Sequence, residues 1–203
     1  MVWLFSATLF VSASLLFWMQ LMVGKLVLPL LGGSPAVWNT CLVFFQAMLL
    51  LAYGYAHLST VRWNVRYQAI AHIGLLLIAL PFLPVALAQG WTPPPDANPV
   101  LWLLALLTVS VGVPFFVVST TAPLMQRWLA ETDSPAGKDP YFLYAASNIG
   151  SLVGLVGYPL GLEPGLALSQ QGWLWGAGYG ALVVLVLGCA IALWRSPNTA
   201  QFP

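Results

Sequence analysis

The sequence predicts an all-α fold, a polytopic transmembrane bundle of about six spans. Three observations carry this. Of 203 residues, 60% are hydrophobic and 5% are charged, against roughly 25% charged in a soluble domain. Mean hydropathy is +0.88. All the charged residues fall between long apolar stretches: Lys25, Arg62, Arg66, Asp96, Arg127, Glu131, Asp133, Lys138, Asp139, Glu163 and Arg195. An ionised side chain at a bilayer centre costs at least about 2.5–3.5 kcal/mol, so charges kept out of helix-length windows mark a chain written for lipid. A span needs about 20 apolar residues.

The first span is read as residues 2–23, a retained helix, because it lacks the basic start and short apolar core of a signal peptide. It stops at Gly24-Lys25, before a short apolar segment and Gly32-Gly33. The second, 35–58, opens with Ser34-Pro35, a hydroxyl cap followed by Pro at the first helical position. The third, 67–88, carries Pro81 and Pro84, expected to kink its last turns. Pro93-Pro94-Pro95-Asp96 then makes a stiff, non-helical loop. The fourth span, 100–121, is kinked near Pro114 and followed by Pro123 and an interfacial segment around Trp128. Asp139-Pro140 repeats the cap-plus-Pro start and opens the fifth, 140–162, which Glu163-Pro164-Gly165 stops. The sixth covers 171–194. A polar tail, 196–203, follows Arg195. The spans form a single domain, 1–195.

Six spans place both termini on one side, with Arg62, Arg66, Arg127, Lys138 and Arg195; Lys25 stands alone on the other with Asp96 and Glu163. Basic residues favour the inside, so both termini are expected in the cytoplasm. Trp3, Trp63, Trp91, Trp128, Trp173 and Trp194 near span ends suit an aromatic belt. A net charge of +1 gives no nucleic-acid footprint.

Polar residues recur on two faces. Asn39, Gln46, Tyr53 and His57 line one side of the second helix. Tyr144, Asn148, Ser151 and Tyr158 line one side of the fifth. Facing lipid they would be costly, so they are expected to face protein or a cavity. That leaves interhelical hydrogen bonding or a polar substrate path, which Gln20 could join. Gly150 with Gly154, and Gly172, Gly176 and Gly180, stand at four-residue spacing, which lets helices approach closely. They serve either packing between the fifth and sixth spans or docking of a partner helix. The run Gly176–Gly180 lies inside a span, not between a strand and a helix, so it is no nucleotide loop.

His57 and His72 flank one turn but lack the cysteines or carboxylates of a metal site. Lys25 either reaches for headgroups or pairs with Glu163. Cys41 and Cys189 read as small core residues, too far apart for a disulfide. No nucleophile–base set, acid/base carboxylate pair, cofactor motif or metal motif emerges, so the chain is expected to be non-catalytic by itself.

Two stretches carry a resemblance. One is Lys25-Leu-Val-Leu-Pro-Leu-Leu-Gly-Gly-Ser-Pro-Ala-Val-Trp-Asn-Thr40. The other is Ser119-Thr-Thr-Ala-Pro-Leu-Met-Gln-Arg-Trp128 with Asp139-Pro-Tyr-Phe-Leu-Tyr-Ala-Ala-Ser-Asn-Ile-Gly-Ser151. In this order they resemble the membrane region of bacterial fused major-facilitator/spermidine-synthase proteins. The resemblance implies a transporter-like unit, one half of a major-facilitator transporter, paired with another chain or a second copy. The synthase half is not implied, since no glycine-rich strand-turn-helix or polyamine-holding acids occur. The gap 59–66 has Arg62 and Arg66 without the acid and glycines usual between the second and third helices of such transporters. Two other roles remain open: an accessory subunit of a larger membrane complex, and a membrane anchor for a separate synthase-like enzyme.

Overall fold

The computed structural model describes residues 1–93, 98–132 and 141–195. Asp96, Asp133, Lys138, Asp139 and the tail 196–203 therefore lie outside the described residues. Six helices are long and apolar enough to cross a bilayer, and the described residues contain no strand. The chain is a polytopic helical membrane protein.

Helix α1 runs unbroken over Val2–Leu31, through the Gly24-Lys25 position where the sequence reading ended it. Its 30 residues extend about 45 Å, longer than a hydrocarbon core of about 30 Å, so Lys25 sits in the part that can overshoot. The helix ends at Gly32, φ 73° and ψ −178°, a positive-φ conformation open to glycine because it has no Cβ. Helix α2, Pro35–Arg62, starts as expected, with the Ser34 hydroxyl accepting from the Val37 amide. Helix α3, Val65–Ile78, is capped by Asn64. It passes into a single 3₁₀ turn at Leu80–Phe82. Pro81 and Pro84 thus end this helix rather than kink it. The chain beyond is non-helical and packs back on the bundle, where the Ala88 amide donates to the Ser110 hydroxyl at 2.9 Å.

The fourth span is one continuous path of 32 residues, Pro99–Ala130: α4 (Pro99–Leu107), a π-helical turn (Thr108–Gly112) and α5 (Val113–Ala130). It contains Pro114 and Pro123 without interruption, the first of them just past the π turn. The segment around Trp128 is therefore helical, and Trp128 is fully buried within the bundle. Trp3, Trp63, Trp173 and Trp194 are exposed, as a belt would leave them. The fifth span comprises α6 (Tyr141–Gly157), a second π turn (Tyr158–Leu162) and the short α7 (Glu163–Gly165). Helix α8, Leu168–Trp194, is the sixth.

The packing repeats itself. Helix α1 packs on α6 and α8; α5 packs on α2 and α3; α1 and α5 cross at the centre, and α3 meets α8. Exchanging the first three spans for the last three maps this pattern onto itself. Hydrogen bonds obey the same exchange. Gln68 Nε2 donates to the carbonyls nine and five residues earlier, Ser59 and Trp63. Gln171 Nε2 donates to those nine and five earlier, Leu162 and Leu166. Tyr179 donates to the Leu76 carbonyl at 2.8 Å across 103 residues, the separation that also relates Gln171 to Gln68. Equivalent positions of the two units thus meet. Three spans is an odd number, so the second unit enters the membrane from the opposite side, an inverted repeat.

Small residues set the closest approaches. A Cβ on Gly150 would lie 2.2 Å from the Phe10 carbonyl oxygen, and one on Gly154 2.6 Å from that of Ser14. Ser14 also donates to the Gly150 carbonyl at 2.9 Å. The fifth span thus seats its glycines on the first, correcting the expected pairing of fifth with sixth.

Candidate functional site

The two polar stripes frame one groove. Its floor is α1, through Phe17, Gln20 and Leu21; one wall is α2, through Trp38, Leu42 and Phe45; the other is α6, through Leu155. Asn39 and Gln46 stand three before and four after Leu42, and Asn148 and Ser151 seven and four before Leu155, so each set shares a helix face with its wall. The sequence places these residues toward protein or a cavity. In the structure Asn39, Gln46, Tyr53, His57, Tyr144 and Asn148 are exposed and Ser151 is half-buried. None of the seven side chains hydrogen-bonds to another described residue. Among the described residues no further helix packs on this side, because α2 turns its buried face to α5 and α6 turns its glycines to α1.

The glycines of α8 behave differently from one another. Gly172 is buried, with a Cβ position 2.4 Å from the Val85 carbonyl oxygen; Gly176 is half-buried near Leu83; Gly180 is exposed with open space around it.

At one end the groove closes on an ion pair, Lys25 with Glu163, one of the two alternatives that sequence left for Lys25. Tyr158 lies beneath it, 2% exposed, with a buried hydroxyl that has no partner.

The bonds holding the bundle together were largely invisible to periodicity. Ser12 donates to the Val118 carbonyl at 3.0 Å, joining α1 to α5. Trp175 Nε1 donates to the Leu15 carbonyl at 2.9 Å, joining α8 to α1. His72 is fully buried, its Nδ1 3.3 Å from Thr120 Oγ1 and its Nε2 3.2 Å from Thr121 Oγ1. Both threonines also reach the Val117 carbonyl, Thr120 at 2.7 Å and Thr121 at 3.2 Å. The shorter contact makes Thr120 the donor to Val117 and hence the acceptor from Nδ1–H. Thr121 is then free to donate to Nε2. His72 is neutral in this arrangement and joins α3 to α5, while His57 lies on the exposed stripe. Their proximity in sequence creates no shared site. Among the described residues no three His, Cys, Asp or Glu side chains converge as metal ligands. Cys41 and Cys189 are buried free thiols, the latter 3.3 Å from the Thr8 hydroxyl.

Comparison with known protein families, curated proteins and solved structures yields no match to this chain.

Proposed function

We propose that this chain is a transporter-like half-unit that works against a second membrane chain, another copy or a related partner, covering the α2–α6 groove. One observation carries the reading: both lips of one groove expose amides and hydroxyls inside membrane-spanning helices. Such groups facing lipid are costly, and a partner that seals the groove turns them inward to line a polar path. The inverted three-span repeat supports it, since such repeats build the six-span halves of major-facilitator transporters. So does the resemblance of Lys25–Thr40 and of the stretches 119–128 and 139–151 to the fused major-facilitator/spermidine-synthase membrane region. In this reading the unit sits in a bacterial inner membrane and catalyses no chemistry by itself.

Gentle extraction from native membrane, followed by identification of co-purifying chains, is the test. A dimer or a stable complex is expected, and Gln46→Leu with Asn148→Leu should abolish any uptake it supports. A folded double variant with unchanged uptake removes the polar path; a strictly solitary monomer removes the half-unit.

A second reading, an accessory subunit of a larger complex, is favoured by the open stretch of α8 at Gly176 and Gly180. There Gly176→Leu should release a partner while the fold survives, and retained association counts against that face.

A further inference from the structure

The end of the groove holds a built cavity. Its volume is about 430 Å³, and its lining includes Leu21, Gly24, Lys25, Trp38, Tyr158 and Glu163. A second cavity of about 160 Å³ adjoins it, sharing Leu21, Trp38 and Leu155 and continuing to Phe17 and Phe45. Gly24 makes the junction: a Cβ there would fall 2.9 Å from the edge of the Trp38 ring, so the indole approaches α1 where no side chain stands. Phe17 stands eight residues before Lys25, about 12 Å deeper along α1. The pair of cavities is therefore amphiphilic, charged at the helix ends and almost wholly apolar toward the membrane interior.

Three features of the upper cavity specify its ligand. Lys25 and Glu163 are opposite charges with side chains 45% and 36% exposed, so the site is neutral overall yet offers a cation and an anion together. The Tyr158 hydroxyl is buried without a partner, a state that costs about 1–3 kcal/mol if left unanswered. Tyr158 and Pro159, both on the lining, open the π turn, a distortion frequent at functional sites. An anionic headgroup would meet Glu163; an uncharged one would offer neither member of the Lys25–Glu163 ion pair a further opposite charge.

We propose that the paired cavities bind one zwitterionic phospholipid with a primary ammonium. Its ammonium donates to the Glu163 carboxylate, its phosphate accepts from the Lys25 ammonium and from the Tyr158 hydroxyl, and an acyl chain lies along Trp38, Phe17 and Phe45. The site is complete within one chain and does not depend on any partner over the groove.

The test uses the whole chain, delipidated in a maltoside detergent and titrated with dioleoyl phosphatidylethanolamine, phosphatidylcholine or phosphatidylglycerol, with bound lipid counted by native mass spectrometry. One phosphatidylethanolamine should be retained at least about tenfold more tightly than either of the others, since only it satisfies both charges with hydrogen bonds. Tyr158→Phe, which keeps the ring and removes the orphan hydroxyl, should fold normally and weaken that binding about tenfold. The double variant Lys25→Gln with Glu163→Gln should level the three lipids. Equal retention by the wild type, a preference for phosphatidylglycerol, or variants that bind as the wild type does would each overturn the proposal. So would chainless glycerophosphoethanolamine binding as tightly as the lipid, which would make this a headgroup site alone.

Discussion

Tyr179 shows how a single polar atom is used in this bundle. Its hydroxyl reaches from α8 to the Leu76 carbonyl, which already lies in a helix and loses little if the bond goes. Bonds of this kind within membranes average about 0.6 kcal/mol and reach about 1.7. Tyr179→Phe should therefore destabilise the fold by about that average in a reversible detergent-unfolding titration. His72 differs in kind. It contacts two threonines at once from a fully buried position, and His72→Leu empties both ring positions. A loss well above that of Tyr179→Phe is expected in the same titration; equal losses would mean that the threonines are content with Val117 alone. The sequence could not reveal this role. His72 is one histidine among apolar neighbours, and its partners arrive from a helix nearly fifty residues later.

Among the helices, the fifth span is the most informative about what sequence can and cannot announce. The four-residue spacing of Gly150 and Gly154 is legible as a closely packed face, because removing side chains at one turn's interval has that consequence for any helix. Which helix answers is not legible, since α1 and α8 are equally apolar. Proline was misleading in both directions. Pro114 and Pro123 sit within a path that runs unbroken to Ala130, whereas Pro81 stands in the 3₁₀ turn that closes a helix, so residue type alone does not separate the two cases. The glycine faces yield a sharp contrast. Gly150→Leu forces a side chain into the Phe10 backbone, which cannot move without displacing α1, so a loss of about 1–3 kcal/mol or more is expected. Gly180→Leu enters open space and should leave unfolding unchanged. Indistinguishable unfolding curves for the two would refute the seating of α6 on α1.

For the molecule as a whole, the class was written in where charges are absent, and the six spans followed from length and turn residues. The inverted repeat was not, apart from one trace: the cap-plus-Pro start at Ser34-Pro35 and again at Asp139-Pro140. Repeats conserved only in geometry leave pairing and hydrogen bonds alike while the side chains diverge, as Leu76 and Tyr179 do at equivalent positions. The repeat constrains orientation. With three spans per unit, the Lys25–Glu163 end and the end carrying Arg62 and Arg66 must lie on opposite faces. The excess of basic residues on the latter predicts a cytoplasmic position for it. In a background with Cys41→Ala and Cys189→Ala, Gly33→Cys should react with a membrane-impermeant maleimide in intact cells, and Asn64→Cys only after permeabilisation. The reverse pattern would place Lys25 and its cavity in the cytoplasmic leaflet. Labelling of both sites from outside would break the three-span inversion itself, because 33 and 64 are the two ends of a single crossing.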